Sequence, residues 1–290
     1  MQIISSVDHM QKTVEVLRLE EKTLALVPTM GFLHEGHLEL MRVGKSHADQ
    51  LMISIFVNPT QFGPAEDFDR YPRDTEGDIE KARQVGVDIV FMPDADEMYI
   101  PDAQTSVLVH RVTQHLCGLS RPTFFEGVTT VVCKLFHIMK PHIAVFGQKD
   151  YQQLTVISRM VMDLNMDIRI IGVPTVRDPD GLAISSRNNY LSREERKSAL
   201  SLNKSLDLAH EMFKAGERNP AVIKKAVEAF IGNHPHTKID YVSLCDPVTL
   251  EDLGTLENEN LLALAVWVGK TRLIDNRLIR DKKKQKGAAT

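Results

Sequence analysis

Residues 24–37 read Leu24-Ala25-Leu26-Val27-Pro28-Thr29-Met30-Gly31-Phe32-Leu33-His34-Glu35-Gly36-His37. The run 24–27 is short and apolar, as a strand buried on both faces is. Pro28-Thr29-Met30-Gly31 ends it with a turn. His34 and His37 follow three residues apart, about one helical turn, so their imidazoles share a face of the helix that begins there. A strand, a glycine turn and a helix N-terminus together make a setting for a phosphate group. Two imidazoles at its mouth add hydrogen-bond donors. The spacing excludes a metalloprotease zinc site, which needs histidines four residues apart with glutamate beside the first.

Working outward, similar apolar runs recur at 51–57, 87–92, 143–146 and 168–173. Helix-period segments lie between and after them, at 36–49, 74–85, 128–139 and 150–164. Such alternation predicts a parallel sheet with helices on both faces, whose ligands sit at the carboxyl ends of the strands. The pattern changes around the turn Asp178-Pro179-Asp180-Gly181. Beyond it come helical segments at 192–215 and 220–231, then strand-like runs at 239–244, 261–268 and 272–279. The expected organisation is an α/β domain over 1–176, a smaller α+β domain over 177–280, and a disordered basic tail over 281–290.

Bulk properties narrow the function. The 290 residues are 43% hydrophobic and 26% charged, a soluble globular balance for one large domain or two ordinary ones. A net charge of −4 argues against a nucleic-acid partner. No apolar run is long enough to span a membrane, and Met1-Gln2-Ile3-Ile4-Ser5-Ser6 shows no signal-peptide pattern, so a cytoplasmic protein without a membrane partner is expected. Cys117, Cys133 and Cys245 lack metal-ligand spacing and read as reduced core thiols. Cys133 lies in an apolar stretch, a poor setting for a nucleophile.

Three further motifs fall at strand ends or just beyond the sheet. Asn58-Pro59-Thr60-Gln61 leaves the second run, and its two amides can each donate to and accept from a small polar acid. Phe146-Gly147-Gln148-Lys149-Asp150-Tyr151-Gln152-Gln153 marks a strand-to-helix junction. There Gly147 permits close approach, Lys149 offers a mobile charge for phosphate, and Asp150 can cap the helix or hold ribose hydroxyls. Ile184-Ser185-Ser186-Arg187 groups two hydroxyls and a guanidinium as an anion cradle. The acid-rich stretch 67–78 contains Gly77-Asp78; most of its acids are expected to cap the helix that follows or to face solvent.

His34-Glu35-Gly36-His37 resembles the His-x-Gly-His signature of the adenylyl-transferring superfamily, which includes class I aminoacyl-tRNA synthetases and small nucleotidyltransferases. The longer string from Pro28 to His37 resembles that of the pantothenate synthetases, or pantoate–β-alanine ligases. The likeness runs from about residue 27 to 279, with four motifs in order. It implies a Rossmann-like nucleotidyltransferase domain with a smaller C-terminal α+β lid domain, assembled as a homodimer. It implies ATP with Mg2+, pantoate and β-alanine as substrates, and pantothenate, AMP and pyrophosphate as products by way of a pantoyl adenylate.

By the same resemblance, Met30, Gly31, Phe32, Leu33, His34, Glu35, Gly36 and His37 bind ATP, together with Gly147, Gln148, Lys149 and Asp150. Val176, Ile184, Ser185, Ser186 and Arg187 complete that site, the backbone of Val176 facing adenine. Catalysis is implied for His37, His34, Lys149 and Arg187, with His37 a proton donor. Gln61 and Gln153 are implied to orient pantoate, whose pocket His115, Arg121 and residues 125–128 would line. Asp78 is expected to assist the metal, although this chain has Gly77 where some relatives carry another acid. Two rival readings use the same residues: a nucleotidyltransferase that adenylates a phosphorylated acceptor, and a nucleotide-binding regulator without catalysis.

Overall fold

The computed structural model describes residues 1–63 and 68–280. The expected tail at 281–290, and residues 64–67 of the acid-rich stretch, lie outside the described residues. The chain divides into two compact units. One comprises Met1–Gln114, Gly118–Val176 and Ile184–Ser186; the other comprises His115–Cys117, Arg177–Ala183 and the chain from Arg187 on.

The first unit runs β1 (Gln2–Ile4), α1 (Val7–Leu19), β2 (Leu24–Thr29), α2 (Glu35–His47), β3 (Gln50–Ile55), α3 (Thr75–Val85) and β4 (Ile89–Phe91). Short turns α4 (Ala95–Met98) and α5 (Cys117–Ser120) precede α6 (Phe124–Met139), β5 (Ile143–Gly147), α7 (Tyr151–Asp163) and β6 (Arg169–Val173). All the described pairings in this six-stranded sheet are parallel, in the order β1-β4-β3-β2-β5-β6. The alternation read from sequence is therefore correct. Residues 1–23 add an edge strand and a helix that the apolar runs do not announce. α1 starts at Ser6, whose hydroxyl accepts the His9 N–H, and it buries only Met10 and Val14.

Ala25, Val27, Leu51, Ile53, Val90 and Val145 from the strands pack with Met41 of α2 in one apolar layer. Gly44 lets α2 lie close, since a Cβ there would sit 2.9 Å from Leu51 Cδ1. β2 is central. The chain leaves it toward β3 on one side and returns to β5 on the other, so strand order reverses beside β2. At such a switch point the loops diverge and leave a crevice at the carboxyl ends. The loops after β2, β3 and β5 all begin there.

The second unit packs α8 (Arg193–Lys214) and α9 (Pro220–Gly232) with an antiparallel sheet in the order β7 (Thr237–Cys245), β8 (Glu259–Val268), β9 (Thr271–Arg280). Its core joins Leu202, Leu206 and Phe213 to Ile223, Val227, Leu262, Leu264 and Val266. Ser192 and Glu195 form a reciprocal capping box that starts α8. A smaller α+β body thus follows the parallel sheet, as the sequence pattern predicts.

Candidate active site

The loop after β2 is built around one carboxylate. Thr29 Oγ1 donates to the Ser54 carbonyl at 2.7 Å and accepts the Gly31 N–H at 3.2 Å, which fixes the turn. Gly31 has φ +79° and Phe32 φ +50°. A Cβ on Gly31 would come within 2.9 Å of Asp78 Oδ2, so glycine is required on both counts. The next two amides turn inward: Phe32 N–H donates to Asp78 Oδ2 at 2.7 Å and Leu33 N–H to Oδ1 at 2.6 Å. Asp78 comes from α3 and is buried. Burial raises its pKa, against the opposing pull of those two N–H groups.

The amides of Phe32 and Leu33 are held within the loop by Asp78. Asp78, expected to assist a metal, has each carboxylate oxygen engaged by the loop backbone. Among the described residues no group of three or more His, Cys, Asp or Glu side chains is placed to hold a metal ion. Gly77 has a local reason too. A Cβ there would fall 2.1 Å from the carboxylate of Asp74, which caps α3 by accepting the Gly77 N–H.

His34 is the N-cap residue of α2 in extended conformation, and His37 lies three positions on. Their rings stack with centroids 4.0 Å apart and planes 19° apart, as the three-residue spacing implies. Gly36 leaves room for the stack: a Cβ there would lie 3.0 Å from His34 Cε1 and 3.1 Å from its Nδ1, so the ring would have to give by a few tenths of an ångström.

His37 Nδ1 accepts the His34 N–H at 3.3 Å, which assigns the proton of the neutral ring to Nε2. Burial, and then the charges of His34, Lys149 and Lys81, hold the His37 pKa well below the usual imidazole value. At neutral pH His37 is therefore a fixed hydrogen-bond donor through Nε2. Glu35, exposed on the first turn, pairs with Arg42 at 2.6 Å and is turned to the helix surface.

Lys149 lies in a tight turn, Gln148–Asp150, directly after β5. The strand order, not sequence proximity, brings its charge to His37. Gly147 has an ordinary φ of −81°, and a Cβ there would meet no protein atom within 4 Å. The backbone does not demand glycine at this position; the open space in front of it is what glycine preserves. Asp150 stands at the N-cap of α7 but makes no side-chain cap bond and is exposed, so the expected cap is not formed.

The loops after β3 and β5 flank the histidine loop. Asn58, after β3, is buried and held on both sides of its amide: its Nδ2 donates to the Gly127 carbonyl at 3.1 Å, and its Oδ1 accepts from Tyr99 Oη at 2.8 Å and Thr60 Oγ1 at 3.0 Å. The structure gives that amide a scaffold role where sequence allowed a ligand contact. Gln61, in the turn Pro59–Gln61, is anchored through its carbonyl by Arg121 Nη2 at 2.9 Å. Arg121 in turn lies 3.8 Å from the centre of the Phe124 ring. Gly127 lets α6 meet this turn, since a Cβ there would fall 2.4 Å from the Thr60 carbonyl. Of the two adjacent glutamines of α7, Gln152 is buried and donates to the Val112 carbonyl at 2.9 Å, while Gln153 is half-buried.

Val176 and Ile184 close a small hairpin, the Ile184 N–H donating to the Val176 carbonyl at 3.0 Å around Gly181 at φ +94°. The Val176 carbonyl is thereby engaged. Ser185 and the buried Ser186 group with the first unit, whereas Arg187 groups with the second.

His142 Nδ1 accepts the Leu24 N–H at 3.0 Å, a scaffold role. The cysteines are free thiols; Cys245 is buried with its pKa pushed up to about 12, and Cys133, half-buried, is also raised by burial. Neither is an activated nucleophile.

One residue of this neighbourhood is absent from the sequence reading. Lys81 of α3 donates to the Leu33 carbonyl at 3.0 Å, and its charge bears on His37. Its only signal in the sequence is a position one turn after Asp78.

Residues 2–278 match the family described as pantoate-beta-alanine ligase. A pantothenate synthetase of Syntrophus aciditrophicus is 53% identical over 281 residues, covering 97% of this chain and 98% of that one. A pantothenate synthetase of Geobacter sulfurreducens is 55% identical over 276 residues, covering 95% and 98%. The crystal structure of pantothenate synthetase from Thermus thermophilus superposes with a TM-score of 0.92 at 40% identity, covering 97% of this chain and 100% of that one. A structure of pantoate-beta-alanine ligase from Francisella tularensis, complexed with beta-gamma ATP and beta-alanine, gives 0.78 at 32% identity over 96% and 97% of the two chains.

Proposed function

This chain belongs to the pantoate–β-alanine ligase family, and from that premise we propose that it condenses (R)-pantoate with β-alanine, cleaving ATP to AMP and pyrophosphate through an enzyme-bound pantoyl adenylate. The observation that carries the reading is the stacked His34–His37 pair at the switch point, with the charge of Lys149 brought to it from the neighbouring strand. The relative that holds beta-gamma ATP and beta-alanine supports the same substrates here.

A carboxylate resists amide formation because oxide is a poor leaving group. Attack of the pantoate carboxylate on the α-phosphorus releases pyrophosphate and turns that oxygen into part of a good leaving group, AMP. The β-alanine amine then attacks the acyl carbon, giving pantothenate and AMP. Step one gathers negative charge on the α-phosphate oxygens and on the departing pyrophosphate, so the protein works by positioning and electrostatics. His37 donates its Nε2–H to an α-phosphate oxygen, with His34 stacked against it. Lys149, Ser185 and Ser186 hold the β- and γ-phosphates, and Gln61 and Gln153 orient pantoate. Gly147 leaves room for nucleotide. No covalent enzyme intermediate is needed.

Magnesium would arrive on the ATP phosphates, where it neutralises charge and keeps most of its waters. The residues present suit that arrangement better than a protein cage, because the buried acid of this loop, Asp78, already accepts two backbone N–H groups. The reading extends to a cytoplasmic homodimer with no nucleic-acid or membrane partner.

Isotope exchange tests the proposal. Labelled pyrophosphate should enter ATP when pantoate is present and β-alanine absent, because adenylate formation reverses without the amine. Exchange that requires β-alanine would refute a free-standing adenylate step. Exchange with a phosphorylated acceptor in place of pantoate would favour the nucleotidyltransferase alternative.

A further inference from the structure

α3 grips the histidine loop at two points of opposite polarity. Asp78 takes the N–H groups of Phe32 and Leu33, and Lys81, one turn along, gives its ammonium to the carbonyl of Leu33. Leu33 is therefore held on both sides of its backbone, immediately before His34 sets the helix start. Lys81 is itself restrained, its Nζ lying 3.9 Å from the Asp74 carboxylate that caps the same helix.

We infer that Lys81 is a positioning residue for the His34–His37 pair: it fixes the backbone that aims the rings and places a second ammonium, besides Lys149, beside the site. Its kinetic consequences rest on the adenylation proposed above, but its effect on the histidines does not. The charged or titratable groups that bear on His37 come from three elements: His34 at the start of α2, Lys149 after β5, and Lys81 on α3. Asp78 faces the loop amides, and Asp74 faces Lys81. Two ammonium groups with no carboxylate among those neighbours oppose a third positive charge on the ring. Lys81 thereby helps to keep His37 a neutral donor. An arginine could reach the same carbonyl and keep the charge; a methionine fills the space and does neither.

The test follows His37 in the full chain without nucleotide, by NMR of 15N-labelled histidine rings across a pH titration, alongside single-turnover pyrophosphate release from MgATP and pantoate. Lys81→Met should let His37 protonate at higher pH than in the parent, move the acid limb of pyrophosphate release the same way, and lower the limiting rate by about 10- to 100-fold through misplaced rings. Lys81→Arg should restore the titration. Asp74→Asn, which removes the acid facing Lys81 and keeps a capping side chain, should shift His37 in the opposite direction and serves where Lys81→Met folds poorly. A His37 titration that does not move in either variant, even with a lower melting temperature, would overturn the inference and leave Lys81 a plain structural contact. The expected shifts in a chain that releases no pyrophosphate with pantoate would uphold the clamp and refute the proposed reaction.

Discussion

Asp78 in the first unit and Asp275 in the second are both buried, at 1% and 3% exposure, yet they are neutralised in different ways. Asp275 receives a bidentate guanidinium, with Arg177 Nη1 and Nη2 at 2.7 and 2.8 Å, and the Asn276 N–H. That is a charge met by a charge, and it ties the hairpin at residues 177–183 to β9. Asp78 receives two backbone amides of a loop that contains left-handed residues. A carboxylate satisfied by a loop spends its interactions on the shape of that loop. The contrast teaches that one kind of buried acid secures a fold and the other secures a site.

Breaking the two acids should therefore give different losses. Arg177→Met leaves Asp275 as an uncompensated buried charge and should lower the unfolding free energy by roughly 3–5 kcal/mol, read from denaturant titration. Asp78→Asn should cost less stability, about 1–3 kcal/mol, because an amide can accept only one of the two N–H groups well. Its rate of pyrophosphate release should nonetheless fall by about 10- to 100-fold, since the loop aims the histidines. Equal stability losses with no rate difference would erase the distinction.

Gly36→Ala sharpens the comparison, because it separates shape from stability. Alanine is favoured inside a helix by about 0.5–1 kcal/mol, so melting should hold or rise. The new Cβ pushes against the His34 ring, so the adenylation rate should drop about tenfold. An unchanged rate would show that the stack is dispensable.

The smallest effect expected is in pH dependence. The folded pKa of His37 is depressed, so below the ordinary value of 6.5 the unfolded chain takes a proton that the native chain refuses. Its contribution to stability is complete above that value and is lost as pH falls toward the folded pKa. His37→Gln should therefore weaken the fall in stability on acidification, measured by unfolding at a series of pH values. An acid slope that stays the same would mean His37 titrates normally.

Much of this was legible in the sequence for physical reasons. Buried parallel strands are apolar on both faces, so β2, β3 and β5 appear as unbroken runs. The histidine pair could be read because helical spacing alone puts residues 34 and 37 together. β1 was not legible, since three residues cannot display a period, and α1 buries only Met10 and Val14 along its length. The roles of Asn58 and Asp78 were hidden because an amide or an acid at a loop suits a ligand and a backbone equally well. Only the partners decide: Gly127 and Tyr99 for one, Phe32 and Leu33 for the other. Lys81 escaped because its partner is a carbonyl 48 residues away, which no local pattern records.

The central claim is that a neutral, stacked His37 stabilises charge as the α-phosphate is attacked. Single-turnover pyrophosphate release from MgATP and pantoate, compared between the parent and His37→Ala at equal folded concentration, tests it most directly. The account predicts a fall of about 10²- to 10⁴-fold in the limiting rate at saturating MgATP. A limiting rate like the parent's, with the loss confined to the ATP Michaelis constant, would contradict it and leave His37 a ground-state binding residue.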